Sequence, residues 1–156
     1  MLERTPTQTV GPYLSIGLAG RIGGELVPGG PVRVHGVVTD GAGVPVPDAI
    51  VEAWQAAERL FGRSDTRDGG RFELVTVKPG TFDGQAPHLE ISVFARGLLK
   101  RVVTRMYFPG EVEDDPVLSR VPPERRATLV AVPEEDGSLR FDIRLQGDGE
   151  TVFFEL

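Results

Sequence analysis

Glycine and proline interrupt this chain 20 and 13 times in 156 residues, and no long apolar helical run survives between them. Both residues break regular helix, proline by lacking an N–H and glycine by its backbone entropy. What remains is a series of short segments with two-residue alternation, the pattern of strands half-buried in a sheet. Such segments hide their apolar faces when two sheets stack. A chain of this length fits one domain whose core needs no staples. It has no cysteine, which excludes disulfides and zinc–thiolate sites.

Val32–Thr39 is the first clear strand, with Val32, Val34, Gly36 and Val38 on one face and Arg33, His35 and Val37 on the other. Asp40-Gly41-Ala42-Gly43 is a turn, because Asp-Gly supplies the positive φ that tight turns need. A proline-limited edge, Val44–Asp48, leads into strand Ala49–Gln55, which holds the single tryptophan, Trp54. Glu58–Gly70 reads as a polar loop, Arg71–Val77 as a strand, Pro87–Ala95 as a strand, and Val102–Phe108 as another closed by Pro109-Gly110. Glu111–Asp115 reads as a solvated acidic segment and Pro122–Arg126 as a turn. Ala127–Val132 and Leu139–Leu145 read as a hairpin, and Thr151–Leu156 as a last strand. The expected fold is all-β, a two-sheet β-sandwich of about eight strands over residues 32–156. Residues 1–31 are expected to form an extended N-terminal arm and connector. Pro6, Gly11 and Pro12 keep the arm open, yet Tyr13, Leu14, Ile16 and Leu18 are too apolar for a free tail. The arm is therefore expected to lie on a surface, its own or a partner's.

The formal net charge of −6 and the lack of an arginine-rich run exclude a nucleic-acid tracker. No Gly-x-Ser-x-Gly elbow, Gly-x-Gly-x-x-Gly or phosphate loop is present. The first residues form no apolar leader, and no stretch approaches the ~18 apolar residues of a membrane span. These absences, with the lack of cysteine, lead to the expectation of a soluble, cytoplasmic protein. Imidazole and phenolate suit ferric iron, and the chain offers His35, His88, Tyr13 and Tyr107. The stretch from Ala86 to Gly97 concentrates the question. Strand alternation sets His88, Glu90, Ser92, Phe94 and Arg96 on one face and Leu89, Ile91, Val93 and Ala95 on the other. His88-x-Glu90 offers two ligands with no third beside them. Residues alone leave three readings open: half of a metal site, a wall of a site completed elsewhere, or sheet interior.

A set of blocks in order narrows these readings. They are Thr5-Pro6-Thr7-Gln8-Thr9-Val10-Gly11-Pro12-Tyr13, Val51-Glu52-Ala53-Trp54-Gln55-Ala56, Thr76-Val77-Lys78-Pro79-Gly80, Ala86-Pro87-His88 through Phe94-Ala95-Arg96-Gly97, Thr104-Arg105-Met106-Tyr107-Phe108-Pro109-Gly110-Glu111, Arg125-Arg126-Ala127-Thr128-Leu129, and the ending Arg140 through Phe154. Together they resemble the intradiol ring-cleaving dioxygenases over nearly the whole chain. The ending is similar to the alpha chain of the members that pair an alpha with a homologous beta chain. The resemblance implies a β-sandwich and a ring cleavage that inserts both atoms of O2 between the two hydroxyls of a catechol. The implied substrate is protocatechuate, and the product 3-carboxy-cis,cis-muconate. The implied cofactor is Fe(III), held by two tyrosines and two histidines of the partner beta subunit and not by this chain.

Departures from the iron-binding pattern point the same way. The pattern's His-x-His reads His88-Leu89-Glu90 here. A ligand tyrosine follows the Pro-Gly of the preceding strand in iron-binding chains, whereas Pro79-Gly80 is followed by Thr81-Phe82. The loop after Trp54-Gln55, where the other ligand tyrosine belongs, contains none and is short. In the resembled alpha chains an N-terminal arm and one arginine still line the pocket. This carries over to Thr9, Gly11, Pro12 and Tyr13 as substrate-binding residues and to Arg96 as the catalytic one. Gly-Pro makes a stiff wall for a flat ring. Tyr13 can hydrogen-bond a carboxylate, and the Arg96 guanidinium is a fixed cation beside a ring that gains negative charge. The plainer readings are Arg96 in a buried ion pair and Tyr13 in interface packing. The alternative for the whole chain is a non-catalytic β-sandwich binding or interaction module.

Overall fold

The computed structural model describes residues 4–11, 13–18, 23–110, 112 and 114–155. Its strands are β1 (Val32–Thr39), β2 (Ile50–Gln55), β3 (Leu60–Asp65), β4 (Arg71–Thr76), β5 (His88–Phe94), β6 (Val102–Tyr107), β7 (Val132–Pro133), β8 (Leu139–Arg140) and β9 (Ile143–Arg144). One sheet runs β4-β1-β8-β7, with β9 also paired to β1; the other runs β3-β2-β5-β6. This is the expected sandwich. Val34, Val38, Phe72 and Leu74 of the first sheet meet Val51, Ala53, Leu89, Ile91, Val93 and Met106 of the second in one buried core. Alternation is obeyed on β1, where Val34, Gly36 and Val38 are buried, and on β5, where Leu89, Ile91 and Val93 are.

Several segments depart from the sequence expectation; the first strand of the expected hairpin, Ala127–Val132, is a 3-10 helix up to Leu129 and a strand only from Val132. The segment expected as a polar loop contains β3, paired with β2 from Ile50↔Asp65 to Gln55↔Leu60. It is an edge strand, where polar side chains belong. Its central Gly62 lies where a Cβ would meet Leu26 Cδ1 at 2.5 Å. The polarity and the glycine together hid it. Leu139–Leu145 is not one strand. It runs parallel to β1 twice, at Val34↔Leu139 and again at Val38↔Ile143. Between these pairs the Asp142 carboxylate, not a carbonyl, accepts the Val37 N–H at 3.0 Å. Among the described residues the chain after Glu150 forms a single β-bridge, Phe154↔Val103, and is otherwise held by the Thr151 N–H on the Arg144 carbonyl (3.0 Å) and the Thr104 hydroxyl on the Val152 carbonyl (2.7 Å). The arm differs too. Residues 4–11 form no regular element, the Gly11 carbonyl accepts the Leu14 N–H at 3.1 Å, and Tyr13–Leu18 forms a short helix, α1.

Asp115 corrects a further expectation. The segment read as solvated brings this carboxylate into the interior, where it is buried. It accepts the N–H groups of Ala86 (2.8 Å), Val117 (2.9 Å) and Leu118 (2.7 Å), and the Tyr107 hydroxyl (2.9 Å). Burial alone would raise its pKa, but the N–H groups of Leu118 and Ala86, the Tyr107 hydroxyl and the Val117 N–H together hold it below the ordinary carboxylate value. Asp115 thereby pins the 3-10 helix Leu118–Arg120 over the outer face of β6, where Tyr107, Leu118, Val121 and Leu129 form a second cluster. A second 3-10 helix, Pro123–Leu129, completes that cover.

Two outcomes follow for stability. A Cβ at Gly36 would lie 1.9 Å from the Phe141 carbonyl oxygen and 2.9 Å from the Phe72 ring, so Gly36→Ala should lower the unfolding free energy by about 3 kcal/mol in urea titration. An unchanged midpoint would mean that β1 and the Phe141 backbone are not in contact. Because the folded pKa of Asp115 is depressed, its stabilisation is full above the unfolded carboxylate value and is lost as pH falls through the folded one. Asp115→Asn should therefore cost roughly 2 kcal/mol at neutral pH. Its deficit against the parent should narrow below about pH 4. A deficit constant with pH would show that the carboxylate charge is not what the donors hold.

Candidate functional site

The face of β3-β2-β5-β6 turned away from the core carries the side chains that matter. Ladder partners share a face, so the pairs Trp54↔Glu90 and Glu52↔Ser92 place these residues together. They line a groove of about 470 Å³ with Phe61, Arg105 and Phe154. Two of its acids, Glu52 and Glu90, are occupied. Glu52 Oε1 accepts from Arg63 Nε at 2.7 Å and from Arg63 Nη2. Glu90 lies 3.6 Å from Arg105 Nη2, and Arg105 Nη1 donates to Gln85 Oε1 at 2.6 Å.

The donors at the end of this face do not fit ferric iron. His88 is buried, and its Nδ1–H donates to the Ala86 carbonyl at 2.7 Å. Burial holds the imidazole below its ordinary pKa, and so neutral. Tyr107 packs against it, ring centres 5.5 Å apart. Burial pushes the phenol up to about 12, and its protonated hydroxyl donates a hydrogen bond to Asp115 Oδ1 at 2.9 Å, so Tyr107 is no phenolate ligand. His35 sits on the other sheet, with Nε2 2.9 Å from Glu134 Oε2. Tyr13 starts α1 and is 80% exposed. The two histidines and two tyrosines thus never converge. Among the described residues no group of three or more His, Cys, Asp or Glu is placed to hold a metal ion.

The two segments that carry ligand tyrosines in the iron-binding pattern are tied together by other chemistry. The chain after Gln55 is cut to a turn over residues 56–59 before β3 begins. Gln55, fully buried, accepts the Thr76 hydroxyl at 2.6 Å and donates to Glu58 Oε2 at 2.7 Å. Glu58 Oε1 in turn accepts the Gly80 N–H at 2.9 Å. A buried amide and a carboxylate therefore join these two segments.

Arg96 stands at the far end of β5. Leu98 N–H returns to the Ala95 carbonyl at 3.3 Å, and Gly97 takes φ +84, the left-handed position a turn of this kind assigns to glycine. Arg96 is the exposed corner of that turn, its side chain 67% exposed, with Nε 3.2 Å from Asp48 Oδ2. The ion pair anticipated for it exists, but the guanidinium is not buried. The Gly97 N–H donates to Thr9 Oγ1 at 2.9 Å. Thr9 and Arg96, 87 residues apart in sequence by the numbering, are thus brought to one corner. Gly11 is exposed, and a Cβ there would meet nothing within 4 Å among the described residues. Pro12 lies outside the described residues. Tyr13 and Ile16, the latter 60% exposed, turn apolar surface outward. Sequence reasoning missed Asp48, Asp115 and the Gln55–Glu58 bridge. Only the position of Asp48 two residues before β2 offered a signal.

No protein-family model matches the chain. It is 40% identical over 196 residues to the protocatechuate 3,4-dioxygenase alpha chain of Pseudomonas putida, covering 99% of this chain and 98% of the relative. That alignment is longer than this chain, so the relative carries segments absent here. The protocatechuate 3,4-dioxygenase beta chain of Burkholderia cepacia is 32% identical over 155 residues, covering 77% of this chain and 66% of the relative. The solved dioxygenase domain of a dioxygenase–carbohydrate-binding fusion from Streptomyces sp. SirexAA-E superposes with a TM-score of 0.63 at 25% identity, covering 81% of this chain and 88% of that one. The chain belongs to the intradiol ring-cleaving dioxygenases, in the family of protocatechuate 3,4-dioxygenase alpha chains.

Proposed function

We propose that this chain is the alpha subunit of a two-chain protocatechuate 3,4-dioxygenase and builds one wall of an active site that a homologous beta subunit completes. The observation that carries this reading is the pairing of Thr9 and Arg96 at one exposed corner, beside a sheet face whose donors are committed to other partners. The chemistry of the family depends on iron. The donor set here does not fit it, so the reading assigns Fe(III) to the beta subunit. Its 32%-identical beta-type relative supports a partner of the same fold.

Protocatechuate plus O2 gives 3-carboxy-cis,cis-muconate, with the ring opened between its hydroxyls and both oxygen atoms retained. Iron supplies activation of the ring. This chain supplies shape and charge. The exposed Arg96 guanidinium presents a fixed cation to an anionic substrate whose negative charge is redistributed as oxygen adds. Thr9 fixes the arm beside that cation. Gly11 is exposed beside that corner and gives the ring a wall without a side chain, and the Tyr13 hydroxyl donates to the substrate carboxylate. The exposed Tyr13 and Ile16 become buried when the partner docks.

Two measurements test the reading. The chain purified alone should carry no stoichiometric iron and consume no oxygen with protocatechuate; co-expressed with its beta partner it should form an iron-containing, active assembly. An isolated chain with full iron and activity, or a stable monomer indifferent to the beta chain, would overturn it. In the assembly, Arg96→Ala should slow turnover by about 10²-fold, as removal of a fixed charge-stabilising group does, with iron content and visible absorbance unchanged. Loss of iron in that variant would show that Arg96 supports the metal site and does not act on the charge of the reacting ring.

A further inference from the structure

Asp48, the partner of Arg96, has unusual surroundings. The β2–β5 ladder pairs Trp54 with Glu90, Glu52 with Ser92 and Ile50 with Phe94. Continued two residues beyond Ile50, the same register sets Asp48 opposite Arg96 on the same face. Its side chain is only 13% exposed, and both carboxylate oxygens are buried without a hydrogen-bond donor among the described residues. Buried carboxylates are normally saturated, as Asp115 is in this chain. An unsaturated one is costly unless a cation offsets it. Arg96 Nε at 3.2 Å is the cation in reach. An ion pair with one exposed member adds little stability, so the pair is poorly explained as a staple.

The support under Asp48 is rigid. Buried Thr66 accepts the Ala49 N–H at 2.9 Å, donates its hydroxyl to the Val46 carbonyl at 2.6 Å, and sends its own N–H to the Ala49 carbonyl at 3.1 Å. These bonds clamp the turn that presents Asp48. On the opposite side, Thr9 holds the Gly97 N–H. Arg96 is thus gripped by charge at Nε from a fixed platform, while its backbone is tethered through the next residue. Its Nη groups have no hydrogen-bond partner among the described residues and stay available.

We propose that Asp48 is a positioning residue: it sets the direction in which Arg96 presents its free Nη groups to the substrate cavity, without touching substrate itself. This role depends on that of Arg96 as the charge-stabilising residue of the proposed function. The aim of a planar guanidinium, and not only its charge, is then part of catalysis.

The test uses the assembled alpha–beta enzyme with protocatechuate and oxygen uptake. Asp48→Asn keeps shape and removes the charge that holds Nε. It should lower kcat about tenfold, with iron content and KM close to the parent's. Asp48→Glu should restore part of the loss. In an Arg96→Ala background, Asp48→Asn should have no further effect, because the group it positions is gone. A full kcat in Asp48→Asn, or the same tenfold loss persisting in the Arg96→Ala background, overturns the proposal while the role of Arg96 stands. An Arg96→Ala enzyme with unchanged turnover removes both. If Asp48→Asn fails to assemble, Arg96→Lys decides: it keeps the charge but not the planar Nε contact, and it should lose at least tenfold in kcat. Full turnover in Arg96→Lys overturns the proposal.

Discussion

A slip of one residue between β2 and β5 would turn this molecule inside out. Their register, fixed from Trp54↔Glu90 to Ile50↔Phe94, sends Val51, Ala53, Leu89, Ile91 and Val93 into the core and everything ionisable outward. Side chains alternate with a period of two, so no intermediate arrangement exists. The apolar set on both strands makes the correct register the one that buries them. Whatever the outer face does is inherited from that choice. The groove, the His88 corner and the Asp48–Arg96 pair are where they are because aliphatic residues two strands wide had to face the other sheet.

Ordinary polar chemistry commits that outer face at several points at once. Glu90 faces Arg105, His88 is tied to a carbonyl, Tyr107 keeps its proton, and Gln55 with Glu58 closes the gap toward Gly80. Each contact satisfies a group that burial would otherwise penalise. The result is internally consistent, so restoring one ligand would not restore a site. A histidine at position 90 would abandon Arg105 and still find no phenolate beside it.

Much of this was legible in the sequence because it follows from periodicity. The faces of β1 and β5 and the sandwich itself come from alternation and from the glycine and proline breaks between strands. The joining of Thr9 to Arg96 was legible only through resemblance, since nothing local links an N-terminal arm to a strand end. What could not be read depended on long-range partners. Asp115 looks like solvated acid until Ala86, Tyr107 and Leu118 gather around it. β3 looks like loop because an edge strand can be polar and because Leu26 takes the space of the missing side chain at Gly62. Leu139–Leu145 keeps its alternation yet is split, because Asp142 takes a backbone donor that a ladder would have used.

The arm is tied to the sandwich beside Arg96 by the hydrogen bond between Thr9 Oγ1 and the Gly97 N–H, while residues 4–9 are exposed. Ordering a residue costs on the order of 1–2 kcal/mol of backbone entropy, and a solvent-exposed hydrogen bond returns about 1 kcal/mol. In the solitary chain the arm's order is therefore thermodynamically thin. In the proposed assembly, a docking surface that buries Tyr13 and Ile16 would supply the remainder. Subunit affinity and pocket geometry then become a single linked equilibrium, in which anything that loosens the interface also blurs the wall of the cavity.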